Sequence, residues 1–217
     1  METIEIQTGA KPDAAVIWLH GLGADGHDFE PIVPELRLPP AMQLRFVFPH
    51  APVRPVTLNQ GMRMRAWYDI LRLDGGAEDA AGIRASQVQV EALITEEVKK
   101  GIKPARIVLA GFSQGGAIAL HTGLRHPAAL AGVLALSTYL PLNETLKKEA
   151  GEANRKTPIF MAHGQHDDII PLARAEQSRK ILAGAGYDVR WKTYPMPHSV
   201  CAEEIADIAQ FLRGVLA

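Results

Sequence analysis

A mostly parallel α/β sheet with helices on both faces is the fold class that this sequence predicts, and three observations carry it. Short apolar, β-branched runs alternate along the chain with longer stretches of helical character. Several of those runs are apolar at nearly every position, the pattern of strands buried on both faces of a sheet. The chain has 217 residues, 47% hydrophobic and 22% charged, which suits one large domain with a sizeable core. The reading is a single domain over residues 1–217.

Taken in order, Met1-Glu2-Thr3-Ile4-Glu5-Ile6 is acidic and alternating, and it lacks the basic start and apolar core of a signal peptide. Residues 14–19 read as the first strand, 27–36 as a helix and 44–48 as a second strand. Residues 49–76 show no regular pattern and are rich in Pro, Gly, Arg and Met; a loop of that length inside a domain usually carries function. A long helix is expected over 78–100, a strand over 105–110 and a small-residue helix over 116–126. Strands at 132–137, 158–162 and 187–194 then alternate with helices at 142–153, 172–183 and 202–216. The chain has no internal repeat and no low-complexity tract.

Bulk properties exclude several function classes. The net charge is −1 with no basic block, so nucleic acid has no electrostatic footprint here. No apolar run reaches the roughly eighteen residues that a membrane-spanning helix needs, so an integral membrane protein is not expected. Cys201 is the only cysteine, which rules out an internal disulfide and points to a reducing cytoplasm.

The most informative segment is Gly111-Phe112-Ser113-Gln114-Gly115, which joins the expected strand at 105–110 to the expected helix at 116–126. Strand, G-x-S-x-G, helix is the context of a nucleophile elbow, a sharp turn that lifts a serine hydroxyl clear of the sheet edge. Such a turn strains the serine backbone and demands small neighbours two residues away, which Gly111 and Gly115 supply. A serine hydroxyl needs a base, and the base an orienting acid. On this kind of scaffold the chain order is Ser, then Asp or Glu, then His, so both partners lie after Ser113.

His198, between the last strand and the last helix, is the candidate base. The acid lies in His163-Gly164-Gln165-His166-Asp167-Asp168, directly after a strand; pattern alone does not choose between Asp167 and Asp168. Oxyanion donors come from the backbone N–H after the nucleophile, that of Gln114, and from the loop after the first strand, where Leu22 lies between two glycines. Met62, Met64 and Trp67, in the irregular stretch, are candidates for an apolar acyl site; their competing reading is ordinary packing of a long loop.

Two rival chemistries compete with this reading. Gly21-Leu22-Gly23-Ala24-Asp25-Gly26 matches the dinucleotide fingerprint, but the next strand ends Phe46-Val47-Phe48-Pro49-His50 without the ribose-binding acid that this reading requires. His163, His166 and Asp167 are compatible with a metal, but no third histidine has clear spacing. The expectation is therefore no metal and no cofactor.

With these residues assembled, the chain resembles the phospholipase/carboxylesterase family of α/β-hydrolases, which includes the acyl-protein thioesterases. The resemblance runs through Trp18-Leu19-His20-Gly21-Leu22-Gly23-Ala24-Asp25-Gly26, Ala66-Trp67-Tyr68-Asp69, Gly111-Phe112-Ser113-Gln114-Gly115-Gly116, His163-Gly164-Gln165-His166-Asp167 and His198-Ser199. It implies the α/β-hydrolase fold, Ser113 as nucleophile, His198 as base, and Asp167, through the pattern H-G-x-x-D, as acid. It also implies Leu22 and Gln114 backbone N–H groups as oxyanion donors, with no metal. Pro197 stands where the family often has glycine before the histidine. The expected function is cleavage of small-molecule or acyl-chain carboxylic esters of short to medium acyl length through an acyl-enzyme. Thioesterase or lysophospholipase activity on the same triad is the alternative, and a catalytically silent binding protein of the same fold is the reading from another class. The sequence leaves the oligomeric state open, a homodimer included.

Overall fold

The computed structural model describes residues 1–72 and 76–217. Seven strands form one sheet in the order β1-β3-β2-β6-β7-β8-β9. They are β1 (Thr3–Gln7), β2 (Ala14–Leu19), β3 (Leu44–Pro49), β6 (Ile107–Phe112), β7 (Gly132–Leu136), β8 (Ile159–Gly164) and β9 (Val189–Tyr194). Only β1 runs antiparallel, paired with β3; every other neighbouring pair in this sheet is parallel. The helices are α1 (Ile32–Glu35), α2 (Ala80–Lys99), α3 (Gln114–Arg125), α4 (Leu146–Glu149), α5 (Leu172–Gly184) and α6 (Ala202–Leu216).

The unbroken apolar strands resolve into two cores, because successive side chains of a strand point to opposite faces. Ala15, Ile17 and Leu19 of β2 join Leu109 of β6 and Met161 of β8 in one core, closed by Ile83, Val90 and Ile94 of α2 and by Ile118 and Leu120 of α3. Ala14, Val16 and Trp18 face the other way and join Val108 and Phe160 beneath Ile208, Phe211 and Leu212 of α6 and Ile32 of α1. Burying each of these larger side chains stabilises the fold by about 1.5–3 kcal/mol.

The structure departs from the sequence reading in four places. Thr3–Gln7 is an edge strand whose alternating burial matches the alternation noted in the sequence. The helix expected over 27–36 shrinks to Ile32–Glu35. Pro34 removes a donor inside it, and Arg37 turns into the left-handed region with φ 46°. The helix expected over 142–153 breaks into single turns around α4. There the chain is pulled out of helical geometry where Gly151 N–H bonds Leu124 O at 2.8 Å and the buried Asn154 amide bonds His126 O at 2.7 Å. The stretch over 49–76 contains a hairpin, β4 (Val53–Val56) against β5 (Met62–Arg65), turned through left-handed Gln60 (φ 57°) and Gly61 (φ 78°). Residues 73–75 of that stretch lie outside the described residues.

Strand order positions the site. After β2 the chain adds β3 on one side, between β2 and the N-terminal edge strand β1, then crosses to β6 on the other side and continues outward to β9. The loops after β2 and β6 therefore diverge at adjacent strand ends, with Leu19 in register with Gly111. Ligands of open parallel sheets bind outside the carboxyl ends of the strands at such a switch point. Among the described residues no helix is long and apolar enough to cross a membrane.

Candidate active site

Ser113 stands between β6 and α3 with φ 54° and ψ −120°. A non-glycine residue held there stores about 1–3 kcal/mol of strain, so the surroundings must over-determine it. They do so through three bonds. Ser113 N–H donates to Leu136 O at 2.9 Å, while its carbonyl accepts from Ala117 N–H at 3.1 Å and from the Thr138 hydroxyl at 2.6 Å. The flanking glycines are required by space. A Cβ on Gly111 would lie 2.3 Å from the Gly115 carbonyl, and one on Gly115 would lie 2.2 Å from Leu19 O. The elbow is thus packed directly on the end of β2.

Asp167 and His198 come from the loops after β8 and β9, whose last residues, Gly164 and Tyr194, are in register. Asp167 Oδ1 accepts the N–H groups of Ile169 (3.0 Å) and Ile170 (2.8 Å), which turn the carboxylate inward. Its Oδ2 lies 2.7 Å from His198 Nδ1. Asp168 faces solvent, so the alternative that pattern left open is divided by burial: only Asp167 reaches the histidine. The His198 ring packs at 4.7 Å from the ring of Phe112, the residue before Ser113. Among the described residues the Ser113 hydroxyl makes no hydrogen bond to His198; in substrate-free sites this contact is often long and tightens with substrate.

His163 belongs to the support of this pair. It is fully buried, its Nε2 is 2.8 Å from Ile170 O and 3.3 Å from Asp167 Oδ2, and its ring stacks on Trp191. Burial pulls its pKa below the ordinary histidine value, against the opposing pull of the Ile170 carbonyl and of Asp167. A neutral ring then donates Nε2–H to this carbonyl. His166 is exposed. Among the described residues no group of three or more His, Cys, Asp or Glu side chains is placed to hold a metal ion.

The loop after β2 brings Leu22 to the same place. A Cβ on Gly21 would lie 3.5 Å from Ser113 Cβ, and Leu22, Ser113 and Gln114 together line one cavity of about 220 Å³. As the first residue of α3, Gln114 has a backbone N–H without an intrahelical acceptor. Larger clefts, of about 280, 320 and 380 Å³, do not touch Ser113.

The rest of the cavity wall is largely apolar and includes Leu58, Tyr68, Ile70, Tyr139, Ile169 and Ile170. Tyr68 and Tyr139 share a hydroxyl–hydroxyl bond of 2.8 Å, and the Arg174 guanidinium lies 3.4 Å over the Tyr139 ring. Burial raises the pKa of both phenols, that of Tyr68 well above its ordinary value.

Met62, Met64 and Trp67 do not line this cavity. Met62 is 66% exposed on the hairpin. Met64 is half-buried, and its sulfur accepts from the Asn59 amide at 3.3 Å. Trp67 is fully buried as a cross-brace: its backbone N–H donates to Gln114 Oε1 at 2.8 Å, its indole N–H donates to His20 O at 2.9 Å, and its carbonyl accepts the Ser86 hydroxyl. For Trp67 the packing alternative describes the side chain. Sequence reasoning missed the tyrosine pair, although Tyr68 lies inside the quoted Ala66-Trp67-Tyr68-Asp69 segment.

Comparison with known proteins assigns the family. The family model described as phospholipase/carboxylesterase matches residues 1–216. The chain is 45% identical over 213 residues to acyl-protein thioesterase 1 of Gibberella zeae, covering 94% of this chain and 91% of that protein. It is 44% identical over 215 residues to acyl-protein thioesterase 1 of Neurospora crassa, covering 94% and 87%. Among solved structures, Arabidopsis thaliana SOBER1 superposes with a TM-score of 0.90 at 31% identity, covering 94% of this chain and 99% of that one. Zea mays acyl-protein thioesterase 2 gives 0.88 at 28% identity, covering 100% and 99%. With its elbow serine, its parallel sheet and this set of relatives, the chain belongs to the phospholipase/carboxylesterase family of α/β-hydrolase enzymes.

Proposed function

We propose that this chain is a serine hydrolase that cleaves carboxylic esters and thioesters of short- to medium-chain acyl groups through an acyl-enzyme. The observation that carries the reading is a strained Ser113 directly after Phe112, whose ring packs 4.7 Å from the ring of His198, itself hydrogen-bonded to Asp167. His198 Nε2 removes the hydroxyl proton as Ser113 Oγ attacks the acyl carbonyl carbon. The Leu22 and Gln114 N–H groups receive the developing oxyanion. When the tetrahedral intermediate collapses, the bond from carbon to the leaving oxygen or sulfur breaks, and His198 gives its proton to the departing alcohol or thiol. Water then repeats the sequence on the acyl-serine, releasing the acid and restoring Ser113. Asp167 holds His198 with Nδ1 protonated throughout, and no step uses a metal or cofactor.

The relatives named acyl-protein thioesterase support the thioester arm, which shares every step but the leaving atom. The wall formed by Leu58, Ile70, Ile169 and Ile170 supports an apolar acyl group. An apolar cavity of about 150 Å³ takes a six-carbon ring, so about 220 Å³ suits an acyl chain of roughly eight carbons. A single domain over residues 1–217 is supported by one sheet that uses strands from both ends of the chain. The lone cysteine supports a cytoplasmic setting. The test is Ser113→Ala: turnover of p-nitrophenyl butyrate falls by roughly 10⁴-fold or more and a fluorophosphonate probe no longer labels the protein. Labelling and turnover near wild type in Ser113→Ala would overturn the reading.

A further inference from the structure

His20 precedes Gly21 and Leu22, and its side chain is 1% exposed although nothing in the proposed chemistry uses it. Both ring nitrogens are engaged. Nε2 receives the Ala51 backbone N–H at 3.0 Å, and Nδ1 lies 2.7 Å from the Gly21 carbonyl oxygen. A nitrogen that accepts a hydrogen bond cannot carry a proton, so the proton sits on Nδ1, and Nδ1–H donates to Gly21 O. Burial lowers the pKa of this histidine, outweighing the opposing pull of the Gly21 carbonyl and of Asp25; His50 and Arg65 act in the same direction as burial. The neutral ring is therefore the stable form. Its place is held by a tilted contact with the Trp67 ring, with centroids 5.4 Å apart.

The consequence follows from peptide planarity. Gly21 C=O and Leu22 N–H belong to one trans peptide unit and point in opposite directions. Fixing the carbonyl fixes the direction of the N–H. Glycine on the N-terminal side of this unit leaves it free to flip, and the Ala24 N–H, at 3.4 Å, is only a long second donor to Gly21 O. On the far side, Gly23 N–H is tied to Arg65 O of the hairpin at 2.9 Å. We infer that His20 is a positioning residue whose Nδ1–H bond to the Gly21 carbonyl aims the Leu22 N–H at the oxyanion. The inference rests on the proposed role of Leu22.

Two side chains separate the two ring nitrogens. Asparagine places its amide N–H near the position of Nδ1, so His20→Asn keeps a donor to Gly21 O and loses the acceptor for Ala51. Glutamine places its carbonyl oxygen near Nε2, so His20→Gln keeps the acceptor and loses the donor. The kinetics of p-nitrophenyl butyrate hydrolysis and the inhibition constant of a trifluoromethyl ketone analogue are measured for wild type, both variants and Ser113→Ala. Removing an oxyanion donor outright costs about 10²–10³ in kcat, and misaiming one costs less. His20→Gln is expected to lower kcat about 10- to 100-fold, with KM within about threefold and ketone affinity falling in parallel, while His20→Asn stays within about fivefold of wild type. A purely structural role would instead lower both variants together, or Asn more than Gln; either pattern overturns the inference. If Ser113→Ala is inactive while His20→Gln keeps full kcat, this inference fails and the serine mechanism stands; an active Ser113→Ala overturns the mechanism itself. Nitrogen-15 NMR of wild type reads the tautomer without any variant: a protonated Nδ1 is expected, and a protonated Nε2 overturns the inference.

Discussion

Replacing Trp67 separates a brace from a substrate wall. The side chain is fully buried, its indole N–H bonds His20 O, and it does not line the cavity at Ser113. Truncating a buried tryptophan to alanine costs about 3–5 kcal/mol. Leaving the His20 carbonyl without its donor adds about 1–3 kcal/mol. Against a total stability of about 5–15 kcal/mol, Trp67→Ala is close to unfolding, so Trp67→Phe is the better probe. It keeps most of the apolar volume, loses the N–H at a cost of about 1–3 kcal/mol, and leaves a small cavity where the second indole ring stood. At about 2–4 °C per kcal/mol for a chain of this length, loss of the N–H alone should lower Tm by roughly 2–12 °C. Thermal melts are paired with kcat/KM for p-nitrophenyl esters of two to twelve acyl carbons. The lower Tm should come with a chain-length dependence of unchanged slope, shifted down uniformly if at all. A Trp67→Phe protein that melts with wild type while its chain-length slope flattens would refute the brace and make Trp67 part of the acyl site.

The same ester series on wild type should rise from acetyl by up to about fourfold per added methylene, the equivalent of about 0.8 kcal/mol each, and level off near eight carbons; a maximum at acetyl would exclude an apolar acyl cavity. Asp167→Asn should lower kcat by about 10⁴-fold, because an amide facing His198 Nδ1 imposes the wrong tautomer, whereas Asp168→Asn should leave kcat near wild type; reversed results would move the acid to Asp168. Gly115→Ala should fail to express as folded protein or lose several degrees of Tm, since its methyl would meet the backbone of Leu19 at 2.2 Å; a melt equal to wild type would contradict this packing. Burial pushes the Glu204 carboxyl up to about 8, outweighing the pull of the Cys201 N–H, which attracts the carboxylate without meeting hydrogen-bond geometry, and Asp207 adds to the rise. A pKa raised on folding gives stability that is complete below the unfolded value and is lost as pH rises through the folded one. Glu204→Gln should therefore melt above wild type at pH about 9 and no higher at pH about 4; a gap independent of pH would refute the assignment.

What local sequence determined is what depends on local physics. Apolar runs such as Ala14–Leu19 and Ile107–Phe112 must be buried on both faces, and that requires a layered parallel sheet. The elbow was legible because a strained serine between a strand and a helix needs Gly111 and Gly115 whatever surrounds it. Chain order brought His198 and an aspartate after β8 to the same sheet edge. Tertiary structure decided the rest. Asp167 and Asp168 are chemically identical neighbours, and only the N–H groups of Ile169 and Ile170 turn the first inward while the second meets water. Thr3–Gln7 is half-polar, and it is a strand because β3 leaves an open edge beside it. Apolarity told that Trp67 seeks burial but not against what; His20, Ser86 and Gln114 answer that from positions 47, 19 and 47 residues away. The cavity at Ser113 is drawn from widely separated segments, so its walls, Tyr68 and Tyr139 among them, exist only once the sheet has brought those segments together.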